Sequence, residues 1–234
     1  MKLLDAFCGA GGAGMGYHLA GFEVVGVDIA PQPHYPFEFH QGDALEFIAK
    51  YGREFDVIHT SPKCQFGTGL QHLGQARNKS YPEHENQIPG LRRLLVAVGQ
   101  PYVIENVTGS RRHLINPVML CGKTFGLKTY RHRWFEISPF WMLAPSHISH
   151  QDQTPPAGNG KSPKGFISVC GTGGVRGMTR PEILDYFSEA MGIDWMTRAE
   201  LSQAIPPAYT RWIGERLLEM LENVSAVEAG AVGE

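Results

Sequence analysis

The opening third of the chain alternates short apolar runs with helix-forming stretches, and no other feature narrows the fold so far. Lys2–Phe7 is a brief apolar run that enters a glycine-rich turn, Cys8–Gly16. Helical sequence follows through Tyr17–Ala20, then a buried-strand run at Glu23–Asp28. Gly42-Asp43-Ala44 opens a helix over Leu45–Tyr51, and Phe55–His59 reads as a further strand. Strands this short and apolar are covered on both faces, and strand–helix alternation joins them in parallel through crossover helices. The expected fold class is therefore α/β, with a doubly wound, mostly parallel sheet. A helix over Leu91–Val98 and a strand over Tyr102–Val107 continue the pattern, with later helices over Pro181–Met191 and Tyr209–Leu221. In the last, Trp212, Ile213, Leu217, Met220 and Leu221 recur at helical spacing.

Two stretches lack periodicity. Residues 66–88 are polar and glycine-bearing, and a loop of that length in a compact domain is usually functional. Residues 138–180 are rich in Pro, Gly, Ser and His and form a small irregular appendage. The chain of 234 residues thus divides into a core over 1–137, the irregular segment 138–180, helices over 181–223 that complete the core, and a tail over 224–234 expected to be disordered. No run of 18 apolar residues occurs, so no membrane span is expected. A single Lys precedes the first strand-like run, which predicts no signal peptide and a cytoplasmic protein. Cys8, Cys64, Cys121 and Cys170 lie far apart without a C-x-x-C pair, which suits free thiols in a reducing compartment. His147 and His150 are suitably spaced for a metal, yet the paired-cysteine motif is missing. They read as surface-loop histidines, and no metal site is expected.

Charge is unevenly spread. Residues 1–108 hold 8 Lys/Arg against 11 Asp/Glu, and 181–234 hold 3 against 10, whereas 109–180 hold 10 against 2. A strongly basic window inside a chain of net charge −2 is a positive face, and phosphate is its natural partner.

Gly9, Gly11 and Gly14 fit G-x-G-x-x-G after a strand, and the acidic Asp28 ends the next strand. Glycines there allow a tight turn and close ligand approach at a helix N-terminus, and the carboxylate can hold ribose hydroxyls. That pattern suits NAD, FAD or S-adenosylmethionine equally. Asp43, just beyond the place where another strand would end, can accept from an adenine amino group or cap the following helix.

Order and combination narrow the choice. Phe7-Cys8-Gly9-Ala10-Gly11-Gly12 is followed by Ser61-Pro62-Lys63-Cys64-Gln65 after one strand and Glu105-Asn106-Val107 after another. Arg131-His132-Arg133 then precedes Trp134-Phe135, and Ala204-Ile205-Pro206-Pro207-Ala208-Tyr209 precedes the last helix. In this order the blocks resemble the signatures of the DNA cytosine-5 methyltransferase family, in the short form typical of bacteriophages. The resemblance covers about 1–135 and 190–223, and the basic stretch between occupies the place of that family's target-recognition region.

The resemblance implies a Rossmann-like, S-adenosylmethionine-dependent methyltransferase acting in a bacterial or phage-infected cell on double-stranded DNA, with no obligate protein partner. Phe7, Gly9, Gly11 and Gly12 would line the cofactor pocket, with Asp28 on the ribose, Asp43 on the adenine and Ile29 beside the adenine ring. Cys64 would be the nucleophile, Glu105 would meet N3 and the amino group of the cytosine, and one of Arg131 and Arg133 would meet its O2. Pro62, Lys63, Gln65 and Asn106 would line the substrate side, and the loop after Gln65 would close over a flipped base. The residue types suit the chemistry, because C5 of cytosine becomes nucleophilic only once a thiolate has added at C6. Lys63 replaces the family's proline, Thr129 replaces the glutamine of the arginine block, and Ile29 stands where an aromatic is usual. Lys63 leaves open a relative with an altered substrate or cofactor (RNA, a free nucleotide or a modified transferred group). An inactive DNA-binding relative is the other alternative.

Overall fold

The computed structural model describes residues 1–63, 86–150, 165–169 and 178–231. The glycine-rich entry and its neighbours form β1 (Lys2–Ala6), α1 (Gly12–Ala20), β2 (Glu23–Asp28), β3 (Glu38–Gln41), α2 (Ala44–Tyr51) and β4 (Val57–Thr60). After the first undescribed stretch come α3 (Ile88–Val98), β5 (Tyr102–Asn106), β6 (Val118–Leu120) and β7 (Arg133–Ser138). The chain ends with α4 (Arg180–Met191), α5 (Arg198–Gln203) and α6 (Pro207–Ala231).

The strands form one sheet in the order β3-β2-β1-β4-β5-β7-β6. β1 to β5 pair in parallel, and β7 runs antiparallel between β5 and β6. Alternate residues of each central strand point to opposite faces, so neighbours in sequence fall into different cores. Leu3, Val57 and Val103 pack with Tyr17, Tyr209 and Ile213 under α1 and α6. Leu4, Ile58 and Ile104 pack with Ile48, Leu91 and Leu95 under α2 and α3. This is the doubly wound α/β arrangement expected from the alternating pattern, closed by an antiparallel border.

The α1–α6 crossing depends on a small residue. A methyl group on Gly16 would lie 2.0 Å from the Thr210 hydroxyl and 2.2 Å from the Pro207 carbonyl. That close approach lets Thr210 Oγ1 donate to the Ala13 carbonyl at 2.8 Å, tying the last helix to the first.

Several expectations shift. α3 starts at Ile88 with Pro89 in its first turn, where a missing N–H costs nothing. β4 begins at Val57 rather than Phe55, whose N–H instead caps the 3-10 turn Gly52–Glu54 by donating to the Gly52 carbonyl. β6, β7 and α5 carry too little periodicity to be read from sequence, and pairing and capping make them. Residues 165–169 of the irregular segment join the core: Ile167 and Val169 are buried against α4 and α5. The tail expected to be disordered from 224 is instead helical to Ala231. Its Ala- and Glu-bearing, proline-free sequence simply propagates the helix already nucleated upstream. No helix among the described residues is long and apolar enough to cross a membrane.

Candidate active site at the carboxyl edge of the sheet

Parallel strands end at one edge, and the order reverses between β1 and β4, where ligands bind in such sheets. In register, Ala6 pairs with both Val27 and Thr60, and Thr60 with Ile104. The next residues along these strands, Phe7, Asp28, Ser61 and Glu105, therefore stand in a row along that edge. β7 is antiparallel, so it begins where the others end, and Arg133 at its start joins the same row.

At the β1 end the chain turns through Phe7, Gly9 and Gly11, all at positive φ (59°, 51° and 84°). A methyl group on Gly9 would meet no heavy atom within 4 Å, so the turn presents an open backbone cradle, whereas one on Gly11 would strike Pro36 at 2.8 Å. Asp28 braces the cradle, its two carboxylate oxygens accepting from the Gly9 and Ala30 N–H groups, each at 3.0 Å. Ile29 beside it is 63% exposed, an apolar surface without a cover at the lip. Asp43 caps α2, accepting through Oδ1 from the Leu45 and Glu46 N–H groups at 2.8 and 3.1 Å.

At the β5 end Glu105 is buried. Arg133 Nε lies 3.0 Å from Glu105 Oε1, off the hydrogen-bonding direction. Among the described residues, Oε1 consequently has no hydrogen-bond partner. Burial raises the Glu105 pKa, opposed by the Arg133 and Arg131 charges and by a hydrogen bond with Ser61. Behind Ser61 the polar chain continues inward: Ser61 Oγ is 3.0 Å from His59 Nε2, and His59 Nδ1 is 3.0 Å from the Tyr17 hydroxyl. Burial pushes the His59 pKa down to about 3, so the ring is neutral. An ionised carboxylate only accepts, so with Glu105 charged Ser61 donates to it, His59 Nε2 donates to Ser61, and Tyr17 donates to Nδ1.

Arg131 and Arg133 have different work. Arg131, at φ 32°, donates to the carbonyls of Ala204, Val169 and Ser202 at 2.7, 2.7 and 2.8 Å, pinning the C-terminal block to the edge. Arg133 forms an ion pair with Glu105 at 3.0 Å, and the Arg131 charge acts on the same carboxyl. Asn106 is buried and donates through Nδ2 to the Pro62 carbonyl at 3.0 Å, which ties the loop after β4 to β5. Lys63, next along that loop, is exposed. Burial, reinforced by the Asp5 and Asp28 charges, pushes the Cys8 thiol up. Burial also raises Cys121. Neither is a ready thiolate in the free protein.

No protein-family model and no curated protein matches the sequence. Solved structures do. The Dnmt2 methyltransferase of S. pombe is similar with a TM-score of 0.57 at 15% identity, over 94% of this chain and 99% of that one. The methyltransferase EhMeth of Entamoeba histolytica is similar at 0.55 and 15% identity, over 94% and 98%. A protein from an E. coli prophage, described as a DNA modification methyltransferase, gives 0.42 at 21% identity over 58% of this chain, which spans 46% of its length. The fold is the Rossmann-like methyltransferase fold.

In this methyltransferase fold, Phe7, Gly9, Gly11, Gly12, Asp28 and Ile29 gather at the β1–β2 end, while Pro62, Lys63, Glu105, Asn106 and Arg133 gather at β4, β5 and β7. Cys64, Gln65 and the residues that follow to 85, where a loop was expected, lie outside the described residues. Sequence reasoning missed the Tyr17–His59–Ser61 chain behind Glu105, since each residue alone resembles ordinary strand or helix filling. Asp5 was missed as well. It is fully buried under the glycine turn, 3.3 Å from the Tyr35 hydroxyl that donates to it, and burial raises its pKa to about 8.

Proposed function

We propose that the chain is an S-adenosylmethionine-dependent methyltransferase that methylates carbon 5 of cytosine in double-stranded DNA through Cys64. The observation that carries this reading is the edge itself: an open glycine cradle with a braced carboxylate, and a buried Glu105 paired with half-buried Arg133, flank the loop that leads into Cys64. The cradle suits the cofactor, because Gly9 has open space where a side chain would be and Ile29 offers an uncovered apolar face. Asp28 would hold the ribose, Ile29 the adenine ring, and Asp43 the adenine amino group through its Oδ2.

When bound, S-adenosylmethionine supplies an electrophilic methyl group. Cys64 thiolate forms a bond to C6 of the flipped cytosine, and Glu105 supports that addition by holding a proton at N3. Its raised pKa suits it to carry that proton. Arg133 orients the carboxyl and offers a charge to the base O2. As C5 takes the methyl, the methyl–sulfur bond breaks and S-adenosylhomocysteine would leave. Water then takes the C5 proton, N3 returns its proton to Glu105, the C6–sulfur bond breaks, and the Cys64 thiolate is restored. The basic window over 109–180 would meet the phosphates.

Mass spectrometry of nucleosides from duplex DNA incubated with protein and cofactor should find 5-methylcytosine. A duplex carrying 5-fluorocytosine should trap a covalent adduct with the wild type and none with Cys64→Ser, which still binds cofactor. Product formation by Cys64→Ser would overturn the mechanism.

Lys63, standing where the family has proline, carries a second reading, in which its ammonium recognises an anionic group on an altered substrate or transferred moiety. Lys63→Pro discriminates between the two. Equal or greater 5-methylcytosine formation supports plain methylation, and loss of a second, heavier product supports the altered reaction.

A further inference from the structure

β6 runs parallel to β5 and ends at Leu120, so Cys121 arrives at the same edge where β7 begins. The Gly122 N–H donates to the Tyr130 carbonyl at 2.8 Å, which holds Cys121 beside the Arg131-His132-Arg133 block. The segment after β7 then folds back over this corner. Lys123 Nζ donates to the Ser149 carbonyl at 2.8 Å, and the His150 ring stacks on Tyr130 at 3.9 Å and 14°. Four potential ligands from three separate stretches of chain converge as a result. One ligand atom each from Cys121, His132, His147 and His150 lies within 4.8 Å of all the others. The Nε2 atoms of His132 and His150 stand 3.1 Å apart.

We infer that Cys121, His132, His147 and His150 form a tetrahedral zinc site that fastens the root of the basic segment to the β6–β7 border. One thiolate and three imidazoles are a borderline-soft donor set suited to zinc, and four protein ligands leave no open position, which marks a structural ion. Around zinc, ligand atoms stand about 3.3–3.6 Å apart. The observed spread of up to 4.8 Å therefore needs only about an ångström of closure, and the outer two histidines sit on an irregular segment that can supply it. A hydrogen bond between His132 and His150 would account for their own approach, but it gives no reason for His147 and a buried thiol to meet them. The positive charge of the ion also offsets the burial that otherwise disfavours a bare Cys121 thiolate. His132 lies between the two edge arginines, so the ion would set where the basic segment leaves the site.

The test uses the full chain, tag-free and purified without chelator. Plasma mass spectrometry should find one zinc per chain that survives desalting. Cobalt(II) in its place should give the d–d absorption of a tetrahedral site and a thiolate-to-cobalt charge-transfer band. Exposed His147 can be changed without disturbing the core, and His147→Ala should lower zinc affinity by more than ~100-fold in a chelator competition, beyond the usual loss from an outer-shell partner. Cys121→Ser should abolish the charge-transfer band. Zinc should raise the melting temperature of the wild type and leave that of His147→Ala unmoved. Sub-stoichiometric zinc with no tetrahedral cobalt spectrum in the wild type would overturn the inference, as would undiminished affinity in His147→Ala. None of these readouts depends on methyl transfer, so failure here and failure of the proposed activity are distinguishable.

Discussion

Glu105 and Arg133 pair at the edge of the sheet in a geometry that holds the carboxyl in place and leaves Oε1 without a hydrogen bond among the described residues. Glu105→Gln keeps the shape and removes the transferable proton, so methyl transfer should fall by roughly 10²–10⁴-fold with cofactor affinity unchanged. Single-turnover rates with equilibrium cofactor binding check this. Arg131 holds three carbonyls. Arg131→Ala should therefore show mainly as a lower melting temperature, whereas Arg133→Ala should show mainly in turnover. Asp5 makes a further prediction through pH. Its pKa rises from 3.8 to about 8 on folding because burial disfavours the charge. Between those values the folded state binds the extra proton, so stability falls as pH rises from about 4 through about 8. Asp5→Asn removes the linkage, and its melting temperature should change less between pH 5 and pH 8 than the wild type's. A parallel decline in both proteins would exclude Asp5 as the source.

The element most dependent on a single small residue is the α1–α6 crossing. Gly16 lies under Thr210 and the Pro207 carbonyl, and those partners are backbone and a buried hydroxyl that cannot swing away. Gly16→Ala should therefore destabilise by ~1–3 kcal/mol or more, as overpacking does. For a chain of this size that amounts to several degrees in melting temperature. The variant also displaces Ala13, which follows the glycine turn, so cofactor affinity should weaken alongside stability. Calorimetry paired with cofactor titration measures both. At the other border, Arg92 donates from Nε to Glu136 Oε1 at 2.7 Å and from Nη2 to the His113 carbonyl at 2.7 Å, joining α3 to β7 and the turn before β6. Breaking a pair this buried leaves an uncompensated charge, so Glu136→Ala should cost ~3–5 kcal/mol.

Across the whole molecule, ten basic against two acidic residues over 109–180 oppose the acidic balance on either side. DNA affinity should fall linearly in log–log form with salt, and the slope should decrease when Lys161, Lys164, Arg176 and Arg180 are neutralised together, with cofactor affinity intact. Unchanged binding by that variant would place the DNA surface elsewhere. Much of this protein was already determined along the chain. The alternation of short strands and helices specified the α/β class, and a glycine turn followed by Asp28 specified one end of the edge, because these signals are local in sequence. β6 and α5 were silent because three residues and about a turn and a half of helix show no period, and β7 because its burial does not alternate, so pairing and capping make them. The spacing of His147 and His150 was visible too, but it was read as two surface-loop histidines with no metal site, because Cys121 and His132, which stand beside them in the fold, are remote in sequence. Only the antiparallel return of β7 beside β5 decides that Arg133 meets Glu105 in an ion pair. The same turn of chain brings Cys121 and His132 to one corner, because strand register, not sequence separation, sets which side chains become neighbours.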